Sequence, residues 1–170
     1  IGHVGIDHRK AGRTAAWTIS RLAKAPGSVG IFVGSHRYVG HELSEISFRS
    51  YFREHAPEFR LLEPLANLED PHLAHEGTLE LLKRNPDLVG IYVAGGGMAG
   101  LISALRESGA GRPLRIVDVG GGTGYVLRWL AARGGLGDDV GVLGADYNPA
   151  LVAEAALRAA GERLRGRFVA

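Results

Sequence analysis

Short apolar runs alternate with stretches of helical periodicity along most of the chain. Residues 29–33 (VGIFV) and 88–93 (LVGIYV) are continuous apolar runs, which are typical of strands buried on both faces. Further strands are predicted at residues 4–6, 59–62, 114–119 and 140–145, with another beginning at 168–169. Helices are predicted over residues 10–24, 41–52, 70–84, 98–107, 125–132 and 149–163. The Asp70-Pro71 pair supplies an N-cap and a first-turn proline for one of them.

This alternation predicts an α/β fold in which helices cover both faces of a parallel sheet. We expect a three-layer sandwich with a doubly wound sheet of five to six strands, flavodoxin-like or Rossmann-like, in the order 2-1-3-4-5. Residues 1–170 are expected to form a single domain. Ligands of such sheets bind at the carboxyl ends of the strands, near the point where strand order reverses.

Composition excludes several classes of function. Cysteine is absent, which rules out disulfides, thiol catalysis and thiolate zinc sites and fits a reducing, cytoplasmic location. The formal net charge is only +2 and the basic residues are scattered, which disfavours nucleic acid as a partner. No apolar run reaches the roughly 18 residues of a membrane span. The chain starts inside an apolar stretch and ends at a beginning strand, which indicates an excised or engineered piece.

Two predicted strand-to-helix junctions carry glycine loops. The first, Gly95 to Gly100, matches G-x-G-x-x-G, with Asp118 following 18 residues later. Glycine lets a backbone approach a pyrophosphate, so one interpretation is a dinucleotide fingerprint. The alternative is an ordinary glycine-rich turn, and a lone match of this kind favours that alternative.

The second loop is flanked by acidic residues at two neighbouring predicted strand ends. Its candidate cofactor-binding residues are Asp118, Gly120, Gly122, Gly124, Asp146 and Tyr147. A carboxylate at Asp146 is suited to accept both hydroxyls of a ribose, and Asp118 to hold an ammonium group. Tyr147 is placed to lie along an adenine face. The alternative is that both acids only cap loops at the strand ends.

Residues 114–170 resemble the first part of class I S-adenosylmethionine-dependent methyltransferases. The first motif of that family, an acid followed by G-x-G-x-G, is matched by Asp118, Gly120, Gly122 and Gly124. Its acid after the second strand is matched by Asp146, which Asn148-Pro149 follows. The resemblance implies that the glycine loop packs against the methionine portion and that Asp146 holds the ribose. The strands that build the family's acceptor pocket are absent.

Residues 1–110 resemble a different family, the second lobe of LacI-type sugar-responsive regulators and periplasmic-binding-protein-like domains. The resemblance lies in residues 4–16 (VGIDHRKAGRTAA), 31–35 (IFVGS), 40–42 (GHE), 48–50 (FRS) and 85–92 (NPDLVGIY). It implies a ligand held between two lobes and touched by loops near Ser35, His41, Glu42 and Gly95–Gly97.

Together, the two resemblances predict an engineered or recombined chimera with a join near residues 109–113. The expected function is an α/β scaffold with a half-site for S-adenosylmethionine, an adenosine-type partner, and no turnover. A functional methyltransferase, a LacI-type ligand-binding lobe and a purely structural protein are the alternatives. An open sheet edge at the carboxyl end offers a route to a homodimer. No catalytic residue is predicted and no metal site, because His72 and His75 share a helix face without a third ligand.

Overall fold

The computed structural model describes residues 6–109, 115–119, 123–132, 140–145, 148–162, 164 and 166–169. The helices are α1 (His8–Leu22), α2 (Val39–His55), α3 (Pro71–Arg84), α4 (Met98–Glu107), α5 (Tyr125–Ala132) and α6 (Pro149–Gly161). The strands are β1 (Ser28–Val33), β2 (Arg60–Leu61), β3 (Leu65–Ala66), β4 (Leu88–Val93), β5 (Arg115–Val119), β6 (Gly141–Ala145) and β7 (Arg167–Val169). Each helix and strand predicted beyond residue 9 is present, with ends shifted by at most three residues. The predicted strand at 4–6 falls mostly outside the described residues. No helix in these ranges is long and apolar enough to cross a bilayer.

The chain forms two compact units, Ile1–Gly109 and Ala110–Ala170. All described strand pairs are parallel, which confirms the predicted α/β class. In the first unit β1 lies between β4 and the β2/β3 side, and in the second unit the order is β5-β6-β7. The described strands therefore form two sheets where the sequence predicts one. In the predicted order 2-1-3-4-5, the strands numbered 1 to 5 are those at 29–33, 59–62, 88–93, 114–119 and 140–145. The predicted pairs β1 with β2, β1 with β4, and β5 with β6 are present, whereas the predicted pair β4 with β5 does not occur among the described strands. The single domain over residues 1–170 stays a prediction.

The strand predicted at 59–62 is the first half of an interrupted edge strand. Ser28 pairs with Arg60 of β2, and Phe32 pairs with Leu65 of β3, so both short strands line the same side of β1. Residues 62–64, which include Pro64, separate them. A proline lacks the N–H group that a sheet ladder needs, and it is tolerated at an edge. The carbonyl of Leu62, inside the break, accepts a bond from Arg49 Nη2 at 3.0 Å.

Strand β1 is buried along its whole length because helices cover both of its faces. Its odd-numbered residues, Val29, Ile31 and Val33, share a core cluster with residues of α1 and α2. Its even-numbered residues face α3: a Cβ on Gly30 would lie 2.5 Å from Leu81 Cδ2, and one on Gly77 would lie 3.1 Å from Phe32. Side chains alternate between the two faces of a strand, so this split gives the predicted three layers within the first unit.

The helix starts follow local capping chemistry. The Asp70 carboxylate accepts bonds from His72 N–H (2.7 Å) and Leu73 N–H (3.1 Å), as the Asp70-Pro71 pair predicts. Helix α4 begins after Gly97, whose φ of 93° lies in the left-handed region. In the second unit, Asn148 caps α6 through Ala150 N–H at 3.0 Å. Caps of this kind typically contribute about 1 kcal/mol each.

A polar cluster closes the amino-terminal end of the first sheet. Ser28 is fully buried, and its hydroxyl donates to Asp87 Oδ1 at 2.7 Å. Arg60 Nη2 donates to Ser28 Oγ at 2.5 Å and to Asp87 Oδ1 at 3.2 Å. The Ser28 hydroxyl, and to a lesser degree the Arg60 guanidinium, holds the pKa of the Asp87 carboxyl below its usual range. Every described polar group of this cluster therefore has a partner.

The second unit has a small apolar core of its own. Leu127, Val140 and Val142 are buried together, with Phe168 of β7 packed against them. Arg128 Nε donates to Glu162 Oε1 at 2.9 Å and joins α5 to the end of α6. This bond lowers the pKa of the Glu162 carboxyl. The unit therefore has both a core and a surface contact to hold its strands and helices together.

Candidate functional site

Loops from three strands meet at the carboxyl-terminal end of the first sheet. Because β1, β3 and β4 are parallel, the chain leaves all three strands at that end. Asn67 N–H donates to Val33 O at 3.0 Å. Leu68 N–H donates to Gly34 O at 2.9 Å, so the loop after β3 is fixed to the loop after β1. Ligands of parallel α/β sheets bind at this end.

His41 and Glu69 form a polar pair at the centre of these loops. The His41 Nε2 atom lies 3.7 Å from Glu69 Oε1. The imidazole is 16% exposed and the carboxylate 49%, so the pair reaches solvent mainly through Glu69. His41 Nδ1 is buried and has no hydrogen-bond partner within the described part of the chain. Buried polar atoms are nearly always paired, so such an atom marks a position that a ligand group or water can satisfy.

Glycines allow the loops to approach this pair closely. A Cβ on Gly34 would lie 2.8 Å from His41 Cε1, and one on Gly95 would lie 2.9 Å from the same atom. A Cβ on Gly96 would lie 2.8 Å from Glu69 Cβ. Real Cβ contacts are longer than these distances, so each of the three glycines makes room for His41 or Glu69. We name the group Gly34, His41, Asn67, Glu69 and Gly95–Gly97 the strand-end site.

Asn67 connects two of the loops from a buried position. It is 2% exposed, and its Nδ2 donates to Gly96 O at 2.8 Å. Its Oδ1 accepts from Glu69 N–H at 3.0 Å. The two residues after it, Leu68 and Glu69, have φ values of 51° and 60°. Such left-handed backbone is unfavourable for residues with a Cβ and persists where its surroundings hold it in place.

An aromatic side chain stands beside the strand-end site. Tyr38 is 55% exposed, and its ring packs edge-on against the His41 ring with centroids 5.1 Å apart. The preceding turn begins at Ser35, whose Oγ accepts from Arg37 N–H at 3.2 Å. An apolar ring next to a carboxylate and an imidazole offers both stacking and hydrogen bonding to one small molecule.

The sequence comparison named Ser35, His41, Glu42 and Gly95–Gly97 as loop positions near a ligand. The structure brings His41 and Gly95–Gly97 together, whereas Glu42 is exposed and takes part in the start of α2. Sequence reasoning missed Asn67 and Glu69. Their only signal is that Asn67, Glu69 and Asp70 are polar and stand directly before a predicted helix.

The predicted cofactor loop lies in the second unit and is described in part. Strands β5 and β6 are parallel and in register up to the pair Val119 and Ala145, so the loops that follow leave from the same end of the sheet. Asp118 is half-buried in β5. Gly124 has a φ of 72°, and a Cβ there would lie 3.2 Å from Phe168. The other predicted residues, Gly120, Gly122, Asp146 and Tyr147, lie outside the described residues.

The parallel sheets of both units, and the helices packed on them, define an α/β fold of the Rossmann-like class. A family model described as a periplasmic binding protein domain matches residues 1–160. The chain belongs to the periplasmic binding protein domain family. The match runs through most of residues 114–170, where the sequence resembles methyltransferases, and so gives no support to the chimera interpretation. No curated protein matches the chain.

Solved structures of similar fold include several sugar-binding proteins. AraP, an arabinose binding protein from Geobacillus stearothermophilus, has a TM-score of 0.61 and 23% identity over 78% of this chain and 44% of its own. An ABC transporter solute binding protein from Agrobacterium vitis with bound D-fucose has a TM-score of 0.63 and 18% identity over 78% and 45%. GanP, a glucose-galactose binding protein from Geobacillus stearothermophilus, has a TM-score of 0.60 and 18% identity over 90% and 45%. The chain spans less than half the length of each, and identities this low establish the fold alone.

Proposed function

We propose that the chain is a ligand-binding lobe whose strand-end site contacts one face of a sugar or similar polyol. The observation that carries the proposal is the half-exposed Glu69 carboxylate, which lies 3.7 Å from His41 Nε2 at the carboxyl-terminal end of the first sheet. Sugar hydroxyls are hydrogen-bond donors, so a hydroxyl of the ligand can donate to the exposed carboxylate of Glu69. The named ligands of the similar structures, arabinose and D-fucose among them, belong to the same chemical class.

The charge and shape of the site support this ligand class. The Glu69 carboxylate accepts hydrogen bonds only, and bonds to an ionised acceptor are stronger than neutral ones. The exposed face of Tyr38 offers an apolar surface to the C–H groups of a pyranose or furanose ring. In this role the lobe is suited equally to a LacI-type regulator or to a solute binding protein of a transporter, because both hold the ligand between two lobes.

Calorimetry with D-fucose, arabinose, glucose and galactose tests the proposal. We expect at least one of them to bind with a dissociation constant on the order of 1 mM, since one lobe supplies only part of the contacts. At about 50 mM sugar this affinity adds about 2 kcal/mol to the free energy of unfolding, which a thermal shift detects. The absence of heat and of stabilisation with all four sugars would reject the proposal.

A matched pair of variants locates the binding. Glu69→Gln keeps the shape of the side chain but removes the charge, and we expect affinity to fall by about 10-fold or more. Glu107→Gln is the control, because Glu107 also pairs with a histidine, His75, at 2.9 Å but lies at the far end of α4. Equal losses in both variants would contradict a site at Glu69.

A second proposal is an S-adenosylmethionine half-site at the ends of β5 and β6. It is supported by the register of Val119 with Ala145, because the loops that follow these two residues leave from the same end of the sheet. The left-handed Gly124 agrees with the close turn that such a loop needs. Methyl transfer, an engineered origin and a homodimer remain further predictions of the same interpretation.

Titration with S-adenosylmethionine and its demethylated product tests the half-site. We expect weak heat that the Asp146→Asn variant abolishes, because the ribose hydroxyls lose an ionised acceptor. Glu154→Gln, on the surface of α6, is the control and should leave the heat unchanged. No heat at millimolar ligand would remove the half-site, and sedimentation of the same sample reports whether a dimer forms.

A further inference from the structure

The loop between β3 and α3 holds two consecutive residues, Leu68 and Glu69, in left-handed backbone. Neither is glycine, so each stays there at a cost that some other interaction must offset. Leu68 is 66% exposed and has no buried packing that would explain its conformation. The compensation therefore has to come from the residues that fix the backbone on either side.

Asn67 meets this requirement. Its Oδ1 accepts the Glu69 N–H at 3.0 Å, which closes a local turn around Leu68. Its Nδ2 donates to Gly96 O at 2.8 Å, which attaches the same turn to the loop after β4. A Cβ on Gly97 would lie 2.4 Å from that Nδ2, so the glycine leaves the space the amide occupies. Both ends of a nearly fully buried amide are thus used to hold one turn.

The direction of Glu69 depends on that turn. With this backbone, the Glu69 carboxylate reaches to 3.7 Å from His41 Nε2, and its Cβ packs against Gly96. An extended backbone at residue 69 would send the side chain in a different direction from the same Cα. The Glu69–His41 pair therefore exists only while the turn is left-handed.

We propose that Asn67 is a positioning residue: it holds residues 68 and 69 in left-handed backbone and so aims the Glu69 carboxylate at His41. It does this from beneath the loops, without contacting ligand. The proposal predicts an effect on sugar affinity, which rests on the proposed sugar site. It also predicts an effect on stability, which rests on the geometry of the loop alone. These two consequences are measured separately.

A double-mutant cycle tests the stability consequence without any ligand. Leu68→Gly relieves the strain at one left-handed residue, and we expect it to raise the Tm by about 2–4 °C. In the Asn67→Ala background the turn is free to leave the left-handed region, so Leu68→Gly should give little or no increase. Hydrogen exchange at the Glu69 amide should become about 10-fold faster in Asn67→Ala, because its acceptor is removed. Additive Tm changes with unchanged exchange would overturn the proposal.

Asn85→Ala is the matched control. Asn85 is a half-buried asparagine of the first unit, and like Asn67 it donates from Nδ2 to a backbone carbonyl, here Leu81 O at 2.9 Å. Its loss should leave both the Leu68→Gly increase and the exchange of the Glu69 amide unchanged. Should Asn67→Ala fail to fold, Asn67→Asp keeps the acceptor for Glu69 N–H. The Leu68→Gly increase should then persist, and its disappearance would contradict the proposal.

Sugar affinity provides the second test of the positioning role. For a sugar that binds the native protein, Asn67→Ala should weaken affinity about as much as Glu69→Gln, and the two changes together should add little. Coupling in the stability cycle without any sugar binding would keep the positioning role and reject the sugar site. Sugar binding that Asn67→Ala leaves intact would keep the sugar site and reject the positioning role.

Discussion

At the amino-terminal end of the first sheet, Ser28, Arg60 and Asp87 form a cluster in which each polar group has a partner. At the carboxyl-terminal end, His41 keeps a buried nitrogen without a partner in the described residues, and Leu68 and Glu69 adopt left-handed backbone. Both ends are polar and both join several strands. They differ in whether every buried polar side-chain atom named above has a hydrogen-bond partner.

Under the proposed sugar-binding function, the two ends have different roles. A satisfied cluster contributes to stability and gains nothing from a ligand, because none of its groups needs another partner. A strained end loses stability in isolation, and a ligand that binds only the folded protein restores part of that stability. The same sheet thus separates the residues that hold the strands from the residues that are available to bind.

The largest effect is expected where the helices of the carboxyl-terminal end touch. A Cβ on Gly100 of α4 would lie 1.7 Å from the backbone oxygen of Pro71 in α3, which cannot move without displacing the helix. We expect Gly100→Ala to lower the free energy of unfolding by about 3 kcal/mol or more, measured by urea denaturation. Gly161→Ala is the control, since a Cβ there meets nothing within 4 Å. A loss below about 1 kcal/mol would show that this end is loosely packed.

Effects of intermediate size are expected when a serine at each end of the first sheet is replaced by alanine. Ser28→Ala removes a fully buried hydroxyl that bonds both Asp87 and Arg60, and it should cost about 1–2 kcal/mol while leaving sugar affinity unchanged. Ser35→Ala, at the other end, should cost less than about 0.5 kcal/mol. Denaturation and calorimetry on both variants check this. A larger loss of stability in Ser35→Ala than in Ser28→Ala would contradict the distinction between the two ends.

The smallest effect concerns the pH dependence of the amino-terminal cluster. The native pKa of Asp87 is lowered, so its ionised form stabilises the fold at pH values above the ordinary carboxyl pKa of about 3.9. That contribution is lost as the pH falls from this value through the lowered native pKa. Asp87→Asn should therefore lower the free energy of unfolding at pH 7. On acidification, the free energy of unfolding of this variant should fall by less than that of the native protein.

Urea denaturation between pH 7 and pH 3 measures this slope. Glu58→Gln is the control, because Glu58 is an exposed carboxylate without an ion pair among the described residues. Parallel slopes for the native protein and Asp87→Asn would mean that the carboxylate of Asp87 contributes nothing to the acid sensitivity. The contrast between the two ends would then rest on hydrogen bonding alone.

Sequence reasoning succeeded where the signal is local. Continuous apolar runs located both β1 and β4. Strand β1 is buried along its whole length, as its run predicts for a strand covered on both faces, whereas the six residues of β4 are only half-buried. The Asp70-Pro71 pair located the start of α3, because capping involves only neighbouring residues. Strand β3 was missed, since two residues are too short for any periodicity.

The strand-end site was only partly predictable because its contacts join distant parts of the chain. His41 and Glu69 are 28 residues apart, and no spacing rule relates the first turn of α2 to the loop after β3. The sequence offered Gly95 and Gly96 as a dinucleotide fingerprint, as an ordinary glycine-rich turn or as a loop near a ligand. It did not predict that their lack of a Cβ accommodates His41 and Glu69. The cofactor loop around Asp118 and Asp146 stays a prediction, because four of its six residues lie outside the described part.

The interruption between β2 and β3 has a consequence for the behaviour of the protein in concentrated solution. A continuous, flat edge strand is a template on which other chains can add strands and begin aggregation. Here the outer side of β1 carries two strands of only two residues each, separated by a segment that contains Glu63 and Pro64. These short strands offer another chain no long run of unpaired backbone groups with which to form a strand. This side of the first unit is therefore protected against fibril-like self-association.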